Sequence, residues 1–137
     1  MKKALLVSGT ALITSVLTTS FIMKWSSGIP GRTGSPGETT CTACHGGGSG
    51  ITLVNISATP AFISNQYVPG TTYTVNVSVT NNPYSKFGFG CEILDASSNT
   101  DAGIMLTPLV GVQFLTASNG RINAVHTSPK SGTGSAT

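Results

Sequence analysis

The 137-residue sequence predicts an all-β domain built as a β-sandwich. Three observations predict this fold: short segments that alternate apolar and polar residues, turns rich in Gly, Pro and Asn, and no helical periodicity after residue 50. Short strands at regular spacing are typical of two antiparallel sheets that each bury one face. We therefore expect one β-sandwich domain over residues 51–137.

The clearest predicted strand covers Thr72–Thr80, where Tyr73, Val75, Val77 and Val79 share one face and polar residues share the other. A half-buried antiparallel strand needs this alternation, because one face packs on the core and the other meets water. Shorter strands are predicted at Ile51–Ala58, Lys86–Asp95, Ile104–Leu109, Val112–Leu115 and Arg121–His126.

Two details of this strand pattern carry further expectations. Gly88 and Gly90 interrupt the segment Lys86–Asp95, which indicates a bulge or a close backbone approach. Cys91 lies among apolar residues of that segment and is expected to be a buried free thiol.

The sequence predicts about five or six strands, which is fewer than the seven of an immunoglobulin-like sandwich. This difference predicts that the chain is incomplete at its C-terminus, or that a partner completes the sheet.

The N-terminal residues 1–25 are predicted to be a signal peptide. Lys2 and Lys3 give a positive start, and Ala4–Met23 contains no charged residue. That stretch is long enough for a membrane anchor, the alternative interpretation, but its Ser and Thr content favours a cleaved signal. We therefore expect export to the periplasm, the cell surface or the medium, with contact to a membrane through this segment alone.

The composition excludes several classes of function. Charged residues make up 8% of the chain, and its net charge of +3 includes the two lysines of the predicted signal. The remainder is near neutral, so nucleic acid is not an expected partner. The four carboxylates show no paired spacing that indicates hydrolase chemistry, and no phosphate-binding or nucleophile motif is present. We expect no enzymatic activity.

The segment 26–50 carries the chemistry that the sequence predicts. It is rich in Gly, Ser, Thr and Pro, so it cannot bury enough apolar surface to fold alone. It contains Cys41-Thr42-Ala43-Cys44-His45, the spacing of c-type haem attachment. Cys41 and Cys44 add to the two haem vinyl groups, and His45 becomes the proximal axial ligand. The sequence therefore predicts one covalent haem c.

Other uses of these cysteines stay open. A redox dithiol favours a strand-to-helix junction, and no helical pattern follows the motif. A zinc site needs four ligands, which Cys41, Cys44 and His45 supply together with either Cys91 or His126. A structural disulfide, within the motif or from the motif to Cys91, is the strongest alternative because the chain is predicted to be exported.

The sixth position of the haem iron has three candidate solutions. His126 ends a predicted strand and, as a distal ligand, gives a low-spin electron-transfer haem, although a structural histidine is equally consistent with the pattern. Met105 is an alternative ligand that raises the potential, but its apolar surroundings favour a core role. An open position favours small-ligand binding.

The run from Gly28 to His45, the stretch Tyr67–Val75, Phe87-Gly88-Phe89 and Val125-His126-Thr127 resemble the choice-of-anchor V domain. The resemblance covers residues 28–130 and is most specific in its first eighteen positions. It implies a Reelin-like β-sandwich and a secreted or cell-surface location. The function of that family is poorly defined, so the resemblance does not decide between a haem and a disulfide.

Two hypotheses of function follow. The first is an electron-carrying module with one haem c, in which Cys41, Cys44 and His45 attach and ligate the haem and His126 is a possible distal ligand. Its partners are redox proteins, other haem modules included. The second is a surface adhesion or binding sandwich with structural cysteines and no haem.

Overall fold

The computed structural model describes residues 26–44, 51–64, 66–81, 84–132 and 135–136. The predicted all-β fold is confirmed there, because the regular structure consists of eight strands and one short 3-10 helix. The predicted signal peptide lies outside the described residues, and so does His45. Within the described ranges no helix has the length and hydropathy needed to cross a membrane.

The eight strands form three antiparallel sheets. In chain order the strands are β1 (Leu53–Thr59), β2 (Thr74–Thr80), β3 (Lys86–Phe87), β4 (Gly90–Cys91), β5 (Val112–Thr116), β6 (Ile122–His126), β7 (Lys130–Ser131) and β8 (Ser135–Ala136). One sheet has the order β1-β2-β8, a second pairs β3 with β7, and the third has the order β4-β6-β5.

The predicted alternation is present in the β1–β2 pair. The two strands pair over seven residues each, with Val54 opposite Val79 and Ile56 opposite Val77, so one face of the pair is apolar. The valines of β2 are half-buried on this face. Val54 and Ile56, in contrast, keep 60% and 58% of their surface exposed. The described residues therefore leave the apolar face of β1 largely uncovered.

The two most buried side chains of the described residues lie on β6, the central strand of its sheet. Asn123 is 0% and Val125 is 1% exposed, and Ala124 and Phe87 are also buried. The turn from β5 to β6 is closed by a hydrogen bond from the Ala117 amide to the Arg121 carbonyl, 2.8 Å long. A strand with neighbours on both edges buries its backbone and side chains together. The core is therefore small and partly polar.

Two sequence predictions about strands are wrong. The segment Lys86–Asp95 forms the separate short strands β3 and β4, because the backbone at Gly88 and Phe89 contacts the His126 ring instead of continuing the ladder. Ile104–Leu109 forms no strand. Most of its apolar side chains are exposed, so packing does not support a strand there.

The N-terminal segment lies along β6 in the opposite direction. The Gly28 amide donates to the His126 carbonyl at 2.8 Å, and the Gly31 amide donates to Asn123 Oδ1 at 2.6 Å. The sequence predicts that this polar segment cannot fold alone. In the structure, the segment is held at Gly28 and Gly31 by bonds to the central strand.

Candidate functional site

The two motif cysteines lie on one tight turn, here called the cysteine turn (residues 40–44). Its 3-10 helix, Cys41–Ala43, is closed by hydrogen bonds from the Ala43 amide to the Thr40 carbonyl and from the Cys44 amide to the Cys41 carbonyl, both 3.1 Å. Side chains at positions i and i+3 eclipse each other in this geometry. Cys41 begins this helix and Cys44 is its C-cap, so ideal 3-10 geometry puts the two side chains on the same side of the turn, and both are exposed free thiols.

Arg32 lies beside the cysteine turn. The Cys41 Sγ lies 3.8 Å from the Arg32 carbonyl oxygen, within reach of a weak thiol hydrogen bond. The Arg32 Nη1 donates to the Gly31 carbonyl at 2.9 Å and to Thr39 Oγ1 at 2.7 Å, and so joins the two ends of the loop before the motif. Its Nε is buried and has no acceptor among the described residues.

A buried ionic cluster fixes this loop on the sheet. We call it the Arg121 cluster, and it contains Thr33, Ser35, Glu38, Glu92, Asn119, Arg121 and Asn123. Arg121 lies between the two carboxylates, with Nη2 3.3 Å from Glu38 Oε1 and Nε 3.2 Å from Glu92 Oε2. The side chains are 9% exposed for Arg121 and 2% for each glutamate. The Nε contact is ionic only, because this N–H is not aligned for a hydrogen bond.

Neutral polar groups complete the hydrogen bonding of the two carboxylates. Thr33 Oγ1 donates to Glu38 Oε2 at 2.6 Å, and Asn119 Nδ2 donates to Glu38 Oε1 at 3.0 Å. Asn123 Nδ2 donates to Glu92 Oε2 at 3.0 Å, and the Ser35 hydroxyl bonds to Glu92 Oε1. A buried charge is tolerated when it is paired and hydrogen-bonded in this way.

The surroundings of Glu38 lower its pKa. Burial opposes ionisation of this carboxyl, but hydrogen bonds from Thr33, Asn119 and Arg121 together outweigh it and bring the pKa from 4.5 to about 2. Glu38 is therefore a carboxylate at neutral pH. Its charge contributes to holding the loop two residues before the cysteine turn begins at Thr40.

The His126 ring lies in a close backbone environment. Its Nδ1 is 3.1 Å from the Phe89 amide nitrogen and 3.0 Å from the Phe89 carbonyl oxygen. A Cβ at Gly88 would lie 2.6 Å from its Cε1, and a Cβ at Gly28 would lie 3.0 Å from its Nδ1. Only glycine at these positions leaves space for the ring, and Nε2 makes no hydrogen bond with the described residues.

The structure brings some of the predicted site residues together and not others. Cys41 and Cys44 share one turn, and the loop before them is joined to the strand that ends in His126. No hydrogen bond or ring contact of the described residues links His126 to either cysteine. The proximal-ligand prediction for His45 falls outside the described residues. Met105 is half-buried in an irregular segment.

The structure describes only some of the residues of the alternative cysteine sites. Cys91 is half-buried and unpaired, and burial together with the Glu92 charge raises the pKa of its thiol. No group of three His, Cys, Asp or Glu side chains that could hold a metal occurs in the part of the chain that the structure describes. His45 lies outside that part of the chain.

Sequence reasoning missed the Arg121 cluster. Glu38, Glu92 and Arg121 show no short spacing, and only the order β4-β6-β5 brings the last two together. The one local signal was that a charged residue, Arg121, begins a predicted strand. A charged residue is usually exposed to solvent, so this position alone does not indicate a buried ion pair. Contacts between residues this far apart in sequence follow from strand pairing, which composition does not reveal.

Fold and site together define an all-β protein that presents an exposed cysteine pair on a loop held by a buried ionic cluster. Comparisons of the chain with protein-family models, with curated proteins and with solved structures give no match. The resemblance to the choice-of-anchor V domain therefore stays a prediction.

Proposed function

We propose that this protein is an exported electron-transfer module that carries one covalent haem c on Cys41 and Cys44. It has no substrate of its own and passes electrons between redox partner proteins. The proposal includes a Reelin-like β-sandwich for the full domain and a location in the periplasm, at the cell surface or outside the cell. The motif and the geometry of the cysteine turn support it.

The observation that carries the proposal is the placement of the two thiols. Both are exposed, unpaired and on the same side of one tight turn, so both can reach the edge of a planar group lying against that turn. Each thiol adds across one vinyl group: its sulfur bonds to one carbon and its hydrogen goes to the other. Neither addition consumes an oxidant. The chemistry of these donors fits a haem.

The histidines have separate roles in this proposal. His45 follows Cys44 directly and is the proximal ligand that the motif supplies. His126 is the candidate distal ligand through Nε2. Its Nδ1 lies at hydrogen-bonding distance from the Phe89 carbonyl, the kind of backbone contact that orients metal-bound histidines. The bound haem supplies one-electron chemistry at its iron.

The Arg121 cluster supports a module rather than a flexible tether. Glu38 is held by the buried Arg121, and Gly31 is held by Asn123 of β6. The loop that precedes the cysteine turn therefore has a fixed backbone. A fixed attachment point keeps the cofactor at one distance from a docked redox partner, as a rigid scaffold does for functional loops.

The decisive experiment is an intact mass together with a reduced-minus-oxidised visible spectrum, on protein expressed in a host with cytochrome c maturation. We expect an added haem mass that survives denaturation, a sharp α band and one remaining alkylatable thiol, that of Cys91. A Cys41→Ala, Cys44→Ala double variant is the control and should lack the added mass. A wild-type mass two hydrogens below the bare polypeptide would mean a disulfide and would overturn the proposal.

The exposed apolar face of β1 favours one alternative function. Val54 and Ile56 are exposed on a strand of seven residues, and contiguous exposed apolar residues are typical of interaction surfaces. The alternative is a surface adhesion or binding domain with structural cysteines and no haem. Binding to a partner that survives in the double cysteine variant, with no haem mass in the wild type, would favour it.

A further inference from the structure

The cation nearest the cysteine turn has no carboxylate partner. The described residues contain four basic side chains, and the two ion pairs of the described residues both belong to Arg121. Lys86 donates to Ser131 Oγ on the β3–β7 pair, and Lys130 lies near the Val110 carbonyl. Arg32, whose carbonyl oxygen lies 3.8 Å from Cys41 Sγ, is the cation that borders the candidate attachment site.

We propose that the Arg32 guanidinium binds a propionate carboxylate of the haem attached at Cys41 and Cys44. This inference rests on the proposed function and goes beyond it, because it assigns a residue to the acidic groups of the cofactor. The thioether motif and the axial histidines leave those groups without a partner.

The hydrogen bonding of Arg32 leaves one edge of the guanidinium for an anion. Nη1 donates both its protons, one to the Gly31 carbonyl and one to Thr39 Oγ1. Nε and Nη2 have no acceptor among the described residues, and Nε is buried. These two nitrogens form the fork that binds a carboxylate through two parallel hydrogen bonds. A buried N–H without an acceptor is costly, and a carboxylate on this edge removes that cost.

Bonds within the loop fix the orientation of the Nε–Nη2 edge, because they hold the Nη1 group of Arg32. Gly31 is itself bonded to the buried Asn123, and Thr39 lies two residues before Cys41. The bonds from Nη1 therefore fix the guanidinium to the same loop that carries the thiols. Because the fork is held before the cofactor arrives, little side-chain entropy is lost when the anion binds.

The test compares Arg32→Gln with Lys86→Gln, which removes the same charge from an exposed position on strand β3. Both variants are made with haem attached, and the midpoint potential and redox difference infrared spectrum are measured. Loss of a cation beside the haem favours the oxidised form. We expect Arg32→Gln to lower the equilibrium constant for reduction by about tenfold, equivalent to about 59 mV for one electron. The propionate carboxylate band should also move. Lys86→Gln should change neither.

The outcomes separate this inference from the proposed function. A wild type without haem, seen first in its mass, would overturn both. A haem-loaded Arg32→Gln with wild-type potential and carboxylate band, or a shift equal to that of Lys86→Gln, would overturn the Arg32 assignment alone. If Arg32→Gln does not load haem, Arg32→Lys tests the assignment instead. Lysine keeps the positive charge but cannot donate the two parallel hydrogen bonds of the guanidinium. An unchanged carboxylate band in Arg32→Lys would then contradict two-point binding.

Discussion

The β4-β6-β5 sheet and the β1–β2 pair are both antiparallel, but they bury different kinds of side chain. On the first, a polar segment covers the central strand, and the deeply buried side chains include Asn123 and Arg121. On the second, alternating apolar residues form a regular stripe, yet Val54 and Ile56 remain exposed. The comparison teaches that burial in this protein follows specific polar partners rather than hydrophobicity alone. Stability should therefore respond more to the ionic cluster than to the apolar stripe.

The largest loss of stability is expected for Arg121→Met. The substitution leaves Glu38 and Glu92 buried without their cation, and breaking a buried ion pair in this way costs about 3–5 kcal/mol. The free energy of unfolding, from urea denaturation followed by circular dichroism, measures the effect. Lys86→Met, which removes an exposed cation, is the control. Equal effects of the two variants would contradict the importance of the cluster.

A second variant, Gly88→Ala, tests the backbone environment of His126. The new Cβ would lie 2.6 Å from Cε1, so the ring or the backbone must move, and such overpacking costs about 1–3 kcal/mol. Gly90→Ala is the matched control, because its Cβ would meet neighbours only at 3.8 Å. Urea unfolding and the imidazole NMR signals of His126 report the result. Unchanged His126 signals in Gly88→Ala would contradict the described contact.

The dependence of the unfolding free energy on acidic pH gives a further test of the Arg121 cluster. The pKa of Glu38 is lowered in the folded state, so its contribution is complete above the ordinary value of 4.5 and is lost as pH falls towards about 2. Glu38→Gln should therefore flatten the decline of unfolding free energy across that range, while lowering stability at neutral pH.

Asp95 provides the comparison for this pH dependence. Hydrogen bonds from Ser97, with those from Ser98, also lower its pKa to about 2, but Asp95 lies on an exposed turn outside the Arg121 cluster. Because Asp95 is exposed, Asp95→Asn should flatten a smaller part of the same decline and should cost correspondingly less stability at neutral pH. If Glu38→Gln keeps the full wild-type slope between pH 4.5 and 2, the assigned role of Glu38 is wrong.

The smallest effect is expected on the β1–β2 pair. Ile56 is already 58% exposed, so Ile56→Thr should change the unfolding free energy by no more than about 0.5 kcal/mol. Threonine also suits a strand. Binding of a hydrophobic dye should fall, because an exposed apolar side chain is removed. A loss of stability comparable to that of Arg121→Met would show that a covering layer buries this face.

The sequence predicted those elements whose signals are local. The β1, β2, β5 and β6 strands agree with their predicted positions within a few residues, because alternation and turn residues act over short distances. The strand at residues 104–109 and the continuous strand at 86–95 were wrong, since tertiary contacts decide whether a short apolar run pairs.

The parts of the site that could not be predicted depend on distant contacts. Nothing near Glu38 in the sequence indicates Arg121 as its partner, and the sequence analysis noted only that the carboxylates lack the paired spacing of a hydrolase. The interpretation of Gly88 as a place of close backbone approach was confirmed, but its neighbour, the His126 ring, was not foreseen. Both require knowledge of the register between β4 and β6, which pairs Gly90 with Val125.

The bonds that hold the N-terminal loop also determine when it can fold. The contact from Gly31 to Asn123 spans 92 residues of chain, and that from Ser35 to Arg121 spans 86. Contacts of such long range close large loops and form late, after local hairpins such as β5–β6. During synthesis the cysteines therefore emerge many residues before the strand that holds their loop. The motif is expected to pass through a period as an open peptide before its final position is fixed.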